Sequence, residues 1–262
     1  MKNRSLSLCG ILLSLGLAAC VSMEYSPAAP RIPLGSQWEA GRFTLDSDDG
    51  SLVVIGVSSR LVKREDEIEA AKEDAARKVA MFMGTRGNVE SIYRQGTSFF
   101  DYIADSLVII ESTADPSTFI AGLNFTPDRD VVVFDRGTIV RFRYGSGIPR
   151  IHYTETLDAN GRPSWINRNN FDVDGYVAAV GFAQNQVWLR DTVMRATEAA
   201  AARLISGAAT SLETSTLDIS GQGTIAVIAS RSSGELAGFR IIRMWIDPST
   251  MAVYTLGIAK VK

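Results

Sequence analysis

The chain has 262 residues, 46% of them hydrophobic and 21% charged, with 27 Lys plus Arg against 29 Asp plus Glu. Charge that nearly balances, without a basic stripe, argues against a nucleic acid as partner. The cysteines are Cys9 and Cys20 and the one histidine is His152, so nothing after Cys20 can form a disulfide, a thiolate nucleophile or a histidine-rich zinc centre.

Lys2 and Arg4 precede a mostly apolar run over residues 6–17, which leads into Leu17-Ala18-Ala19-Cys20. The run is shorter than the roughly 20 residues that span a bilayer and has the form of a secretory signal core. Small residues before a cysteine look like a lipobox. Cleavage between Ala19 and Cys20, with lipid on the Cys20 thiol, is the expectation; the rival reading is an ordinary secretory signal with a chance cysteine. Two or three acyl chains make a stable anchor, each buried methylene contributing about 0.8 kcal/mol. Val21 is not the aspartate that commonly retains lipoproteins in the inner membrane, which points to the outer membrane and its periplasmic face. Pro27, Pro30 and Pro33 lie among small residues, so residues 20–34 read as a flexible tether.

Removing the first 19 of 262 residues leaves 243, enough for one large domain or two small ones. Offset by 125, residues 49–76 fall on 174–201 with nine identities: Asp49, Gly50, Gly56, Val62, Asp66, Ala71, Glu73, Ala75 and Ala76. The expected organisation is a first unit over 35–157 with an enlarged middle and a second over 158–262. Asp158-Ala159-Asn160-Gly161-Arg162-Pro163 supplies the turn-forming boundary.

Within each unit the periodicity predicts a strand (51–58 and 176–183), then an amphipathic helix. Ile68, Ala71, Ala75, Val79 and Phe82 mark the first helix, and Val193, Ala196, Ala200 and Leu204 the second. Gly56 and Gly181, inside strands, mark a bulge or a close backbone approach, with packing favoured over ligand contact. A hairpin closes each unit: 131–134 with 138–144 through Asp135-Arg136-Gly137, and 238–246 with 251–261 through Asp247-Pro248-Ser249-Thr250. The expected fold class is therefore α+β: two tandem β-α-β-β units, each a helix packed on a small antiparallel sheet. Residues 85–129 leave room for an extra helix or strand in the first.

Pro163, Trp165, Gly175, Gly181, Ala196, Ala200, Ala201 and Arg203, with the ending Met244-Trp245-Ile246-Asp247-Pro248 and Tyr254-Thr255-Leu256, resemble the LPP-twenty lipoprotein family. Related units open a flagellar assembly protein. The likeness is closer in the second unit; in the first, Pro33 stands five places before Trp38. It implies a small α+β domain in bacterial envelope lipoproteins and carries no catalytic residues.

The residues themselves assemble no catalytic set, metal site or cofactor site. His152 is read as a satisfied histidine in a strand over 151–156, and no Gly-x-Ser-x-Gly elbow is present. Asp46-Ser47-Asp48-Asp49 and Glu65-Asp66-Glu67 read as solvated charge, the second favoured by a helix N-terminus. Gly84-Thr85-Arg86-Gly87 reads as a helix stop. The candidate ligand contacts are Trp38 and Trp165, which can stack on sugars or pack, and Arg141 with Arg143. These two cations share one strand face, and can bind an anionic polymer or guard a sheet edge. The expectation is a non-enzymatic, lipid-anchored envelope module that binds another envelope protein. The alternative is a peptidoglycan or polysaccharide binder, and a hydrolase without a visible motif is the third reading.

Overall fold

The computed structural model describes residues 41–45, 49–95, 102–134, 136–208, 211–219 and 223–261, all within one compact unit over Ile32–Lys262. Cys20, Ala19, the tether and Trp38 lie outside the described residues, as do residues 46–48.

In chain order the chain forms strand β1 (Arg42–Thr44), β2 (Leu52–Ser59), helix α1 (Arg64–Met83), β3 (Thr85–Gln95) and β4 (Tyr102–Ser112). A 3-10 turn (Pro116–Gly122), the one-turn helix α2 (Pro127–Asp130), β5 (Val131–Phe134) and β6 (Gly137–Tyr144) follow. A second 3-10 turn (Ser164–Asn167) leads to β7 (Phe171–Val173), β8 (Tyr176–Ala183), helix α3 (Leu189–Ala208), β9 (Ser211–Ile219), β10 (Gly223–Ile246) and β11 (Val253–Val261). The fold is mixed α+β with antiparallel sheets.

One sheet is three-stranded, ordered β2-β6-β5; the other has eight strands along β4-β3-β10-β11-β8-β7, with β1 and β9 also on β10. The predicted arrangement of a small sheet under each helix is corrected here. A strand follows each helix directly, and the larger sheet takes strands from both halves of the chain. The 24 residues of β10 explain this. Its first half pairs with β9 on one edge and β3 on the other, and its second half pairs with β11 and β1. Ser, Thr and Gly surround the short apolar run Ile225-Ala226-Val227-Ile228-Ala229, so the pairing is what reveals the full length of the strand.

Alanine sets the layering. Ala71, Ala75, Ala76 and Val79 of α1 pack on Leu52, Val54, Val140 and Phe142 of the small sheet. The opposite face of that sheet, with Val53, Ile55, Val57 and Ile139, shares a core with Val193, Ala196, Ala200, Ala201 and Leu204 of α3 and with Phe239 and Met244 of β10. Helix α3 thus lies between two sheets, and its small side chains allow close approach on both sides. A Cβ built on Gly56 falls 1.7 Å from the Ala71 carbonyl oxygen, and one on Gly181 falls 1.8 Å from that of Ala196. Both strand glycines are close-approach points, where only hydrogen fits beside a helix backbone.

The outer face of the large sheet is covered by Ile151 and Trp165, packed with Val180, Ile242, Trp245 and Leu256. The strand expected over 151–156 does not form. Arg240 donates to the Pro149 carbonyl oxygen (2.7 Å) and Arg243 to that of Tyr153 (2.8 Å), so side chains satisfy backbone groups that a ladder would otherwise use. Helix α1 ends where expected, with the Gly84 N–H donating to the Ala80 carbonyl oxygen.

Candidate functional site

The two cations of β6 have a specific partner. Asp130, at the end of α2, is fully buried. Its Oδ1 accepts from Arg141 Nε at 2.8 Å and NH2 at 2.5 Å, and its Oδ2 from Arg143 NH1 at 3.1 Å and the Thr126 N–H at 2.8 Å. Burial alone pushes the Asp130 carboxyl up; the Thr126 N–H and the two guanidinium groups outweigh it, and the group titrates below its ordinary value. The edge-guard reading of Arg141 and Arg143 is corrected, because β6 is the central strand of its sheet. The pair ties α2 to the β5-β6 hairpin. Pairing of Val131 with Val140, continued by one step, sets Asp130 opposite Arg141. A hairpin register read from Asp135-Arg136-Gly137 carries that signal.

Trp165 is fully buried and its Nε1 donates to Glu155 Oε1 at 2.7 Å. A ring with no exposed face has none to stack on a sugar. His152 is exposed, and its backbone N–H donates to Asp174 Oδ2 at 3.2 Å. Glu67 departs from the solvated reading: it is 1% exposed, paired with Arg64, and it accepts hydrogen bonds from Thr138 Oγ1 and the Leu61 N–H. A carboxylate at a helix start looks alike in sequence whether it faces water or a neighbouring sheet. Among the described residues, no three His, Cys, Asp or Glu side chains come together to hold a metal ion.

Exposed apolar side chains stand elsewhere, at matching places before the two long helices. Leu61 (42%) and Val62 (82%) precede α1, while Val187 (77%) and Trp188 (48%) precede α3. Val62 and Val187 are 125 residues apart, the repeat offset. The β5-β6 turn lies beside the end of β2 and reaches the loop after β8: a Cβ on Gly137 falls 1.9 Å from the Ser58 carbonyl oxygen, and Arg136 Nη1 donates to Asn185 Oδ1 at 2.7 Å. Isolated exposed apolar residues are ordinary, whereas their recurrence at the same place before both helices points to a contact surface. Sequence periodicity missed this group because each residue lies just outside its helix.

No family model, no curated protein and no solved structure matches the chain.

Proposed function

We propose that this chain is a bacterial envelope lipoprotein, acylated on Cys20 after removal of residues 1–19 and held at the periplasmic face of the outer membrane. It is built as two copies of one α+β unit of the LPP-twenty type, and works by binding another envelope protein rather than by catalysis. Matched contacts support the duplication. Lys78 Nζ donates to the Ile55 carbonyl oxygen at 2.8 Å and Arg203 NH1 to that of Val180 at 2.7 Å, donors and acceptors each separated by 125 residues, as are the Gly56 and Gly181 approaches.

The observation that carries the binding reading is the exposed group Val62, Val187 and Trp188 at matching places before both helices. Desolvating it against a partner is favourable at about 25 cal/mol per Å² of apolar surface. The polysaccharide alternative loses support from Trp165, which is buried, and from the arginine pair, which Asp130 holds. Cross-linking in intact cells with affinity capture and mass spectrometry tests the reading. A protein partner is expected with the native chain, and it is lost from the Cys20→Ser form and from a Val187→Asp, Trp188→Ala form. Capture of wall fragments alone, or of nothing above background, overturns it.

A further inference from the structure

Among the described residues, two long edges of the large sheet have no strand paired with them. At one end of its extension lies β4, with 11 residues, and at the other β9, with 9; among the described residues no strand pairs with the outer side of either. Other edges are managed. β1 and β7 have three residues each, and β2 is blocked by α1, whose Asp74 accepts from the Val57 N–H at 2.9 Å while Lys78 donates to the Ile55 carbonyl oxygen. Neither β4 nor β9 contains the Lys or Pro that commonly protects an edge. β4 instead carries Leu107-Val108-Ile109-Ile110, with Val108 40% and Ile109 42% exposed.

We infer that the chain associates head to tail with further copies of itself, β4 of one copy pairing with β9 of the next. The occupant follows from the contact already made within the chain. Hairpin β3-β4 follows α1 as β9-β10 follows α3, so β3 corresponds to β9, and β4 to the first half of β10. The internal pairing of β3 with β10 then has an equivalent between chains, β9 with β4. Strand directions agree: β4, β3, β10 and β9 alternate, so the joined sheet remains antiparallel. Each copy offers one edge of each kind, and such a heterologous contact makes a ring if it closes and a filament if it does not.

The register also follows. Carrying β3 to β9 by the repeat offset of 125 sets Ser91 on Thr216, and their ladder partners, Ser106 and Ala226, then stand 120 apart. The observed pairings of Arg94 with Val227, Ile92 with Ala229 and Val89 with Ser232 then transform to Leu107 opposite Ile219, Ile109 opposite Leu217 and Ser112 opposite Thr214. Apolar residues meet at the first two positions, and no like charges stand opposite one another.

This inference rests on the two-copy reading for its register, and the test separates the two. The full chain, extracted in detergent, is made with Ile109→Cys and Leu217→Cys together, and separately with Val108→Cys and Asp218→Cys. One of these consecutive pairs occupies the close, non-hydrogen-bonded geometry of an antiparallel ladder. Oxidation is expected to give a ladder of dimers, trimers and larger species on a non-reducing gel for at least one double variant. Each single variant stops at dimer or below, and Ile109→Lys shifts the native assembly to monomer in sedimentation. A chain that sediments as monomer at tens of micromolar with no ladder overturns the inference, as does a dimer linked through Ile109→Cys alone at the double variant's yield. Assembly that Ile109→Lys abolishes while neither double variant links would retain the edge contact and refute the register and the duplication behind it. Val187 and Trp188 lie beyond the Ala183 end of β8, away from both edges, so loss of an outside partner in their variants is read independently.

Discussion

Asp130 shows how one side chain fixes a local arrangement. Two guanidinium groups and one backbone N–H converge on a carboxylate with no solvent access, so removing its charge leaves Arg141 and Arg143 facing an amide. Asp130→Asn is expected to destabilise the fold by about 3 kcal/mol, the scale for breaking one side of a buried pair, measured by urea denaturation at neutral pH. Because its folded pKa is depressed, the native stabilisation is complete above the unfolded value of about 3.9. It falls away as pH drops through the folded value. The difference between native and Asp130→Asn chains should therefore shrink in acid, and a difference that stays constant down to the acid transition would show that the carboxylate charge is not its source.

Strand and helix meet most closely at Gly56 and Gly181. A Cβ on Gly181 would also fall 2.6 Å from the Ala200 nitrogen, and a helix backbone cannot yield as a flexible side chain can. Gly181→Ala is expected to cost at least about 3 kcal/mol, at the upper end of overpacking effects. Gly161→Ala, at a positive φ of 75° with nothing within 4 Å, should cost only the left-handed backbone penalty of about 1–2 kcal/mol. Thermal denaturation of both variants decides it, and equal losses would refute the close-packing account. The elements around these glycines were largely legible: β8 spans the predicted residues, β2 is shifted by one, and both helices extend past their predicted stripes. A two-faced apolar pattern has few alternatives at those lengths. The first half of β10 was not predicted although Ile225-Ala226-Val227-Ile228-Ala229 is a short apolar run, because its continuity with the closing hairpin depends on pairing with β3, far away in sequence.

For the whole molecule, the anchor and the sheet make separate demands. Cys20→Ser is expected to abolish incorporation of labelled palmitate and to move the chain from the membrane to the soluble fraction. A lipid label that persists in the variant would refute acylation at that thiol. The sheet joins the halves in a way the repeat alone does not suggest: β1 pairs with β10 rather than with β2, and β3 adds to the strand that β11 also uses. The α+β class, the places of the helices and closing hairpins, and the two strand glycines could be read along the chain, because helical and strand periodicities and small residues are local signals. That α3 lies between two sheets, that Glu67 and Trp165 are buried, that Asp130 holds the arginine pair, and that Val187 and Trp188 face solvent emerged with the folded arrangement. Each depends on which element arrives opposite a residue, and that is a property of the assembled chain.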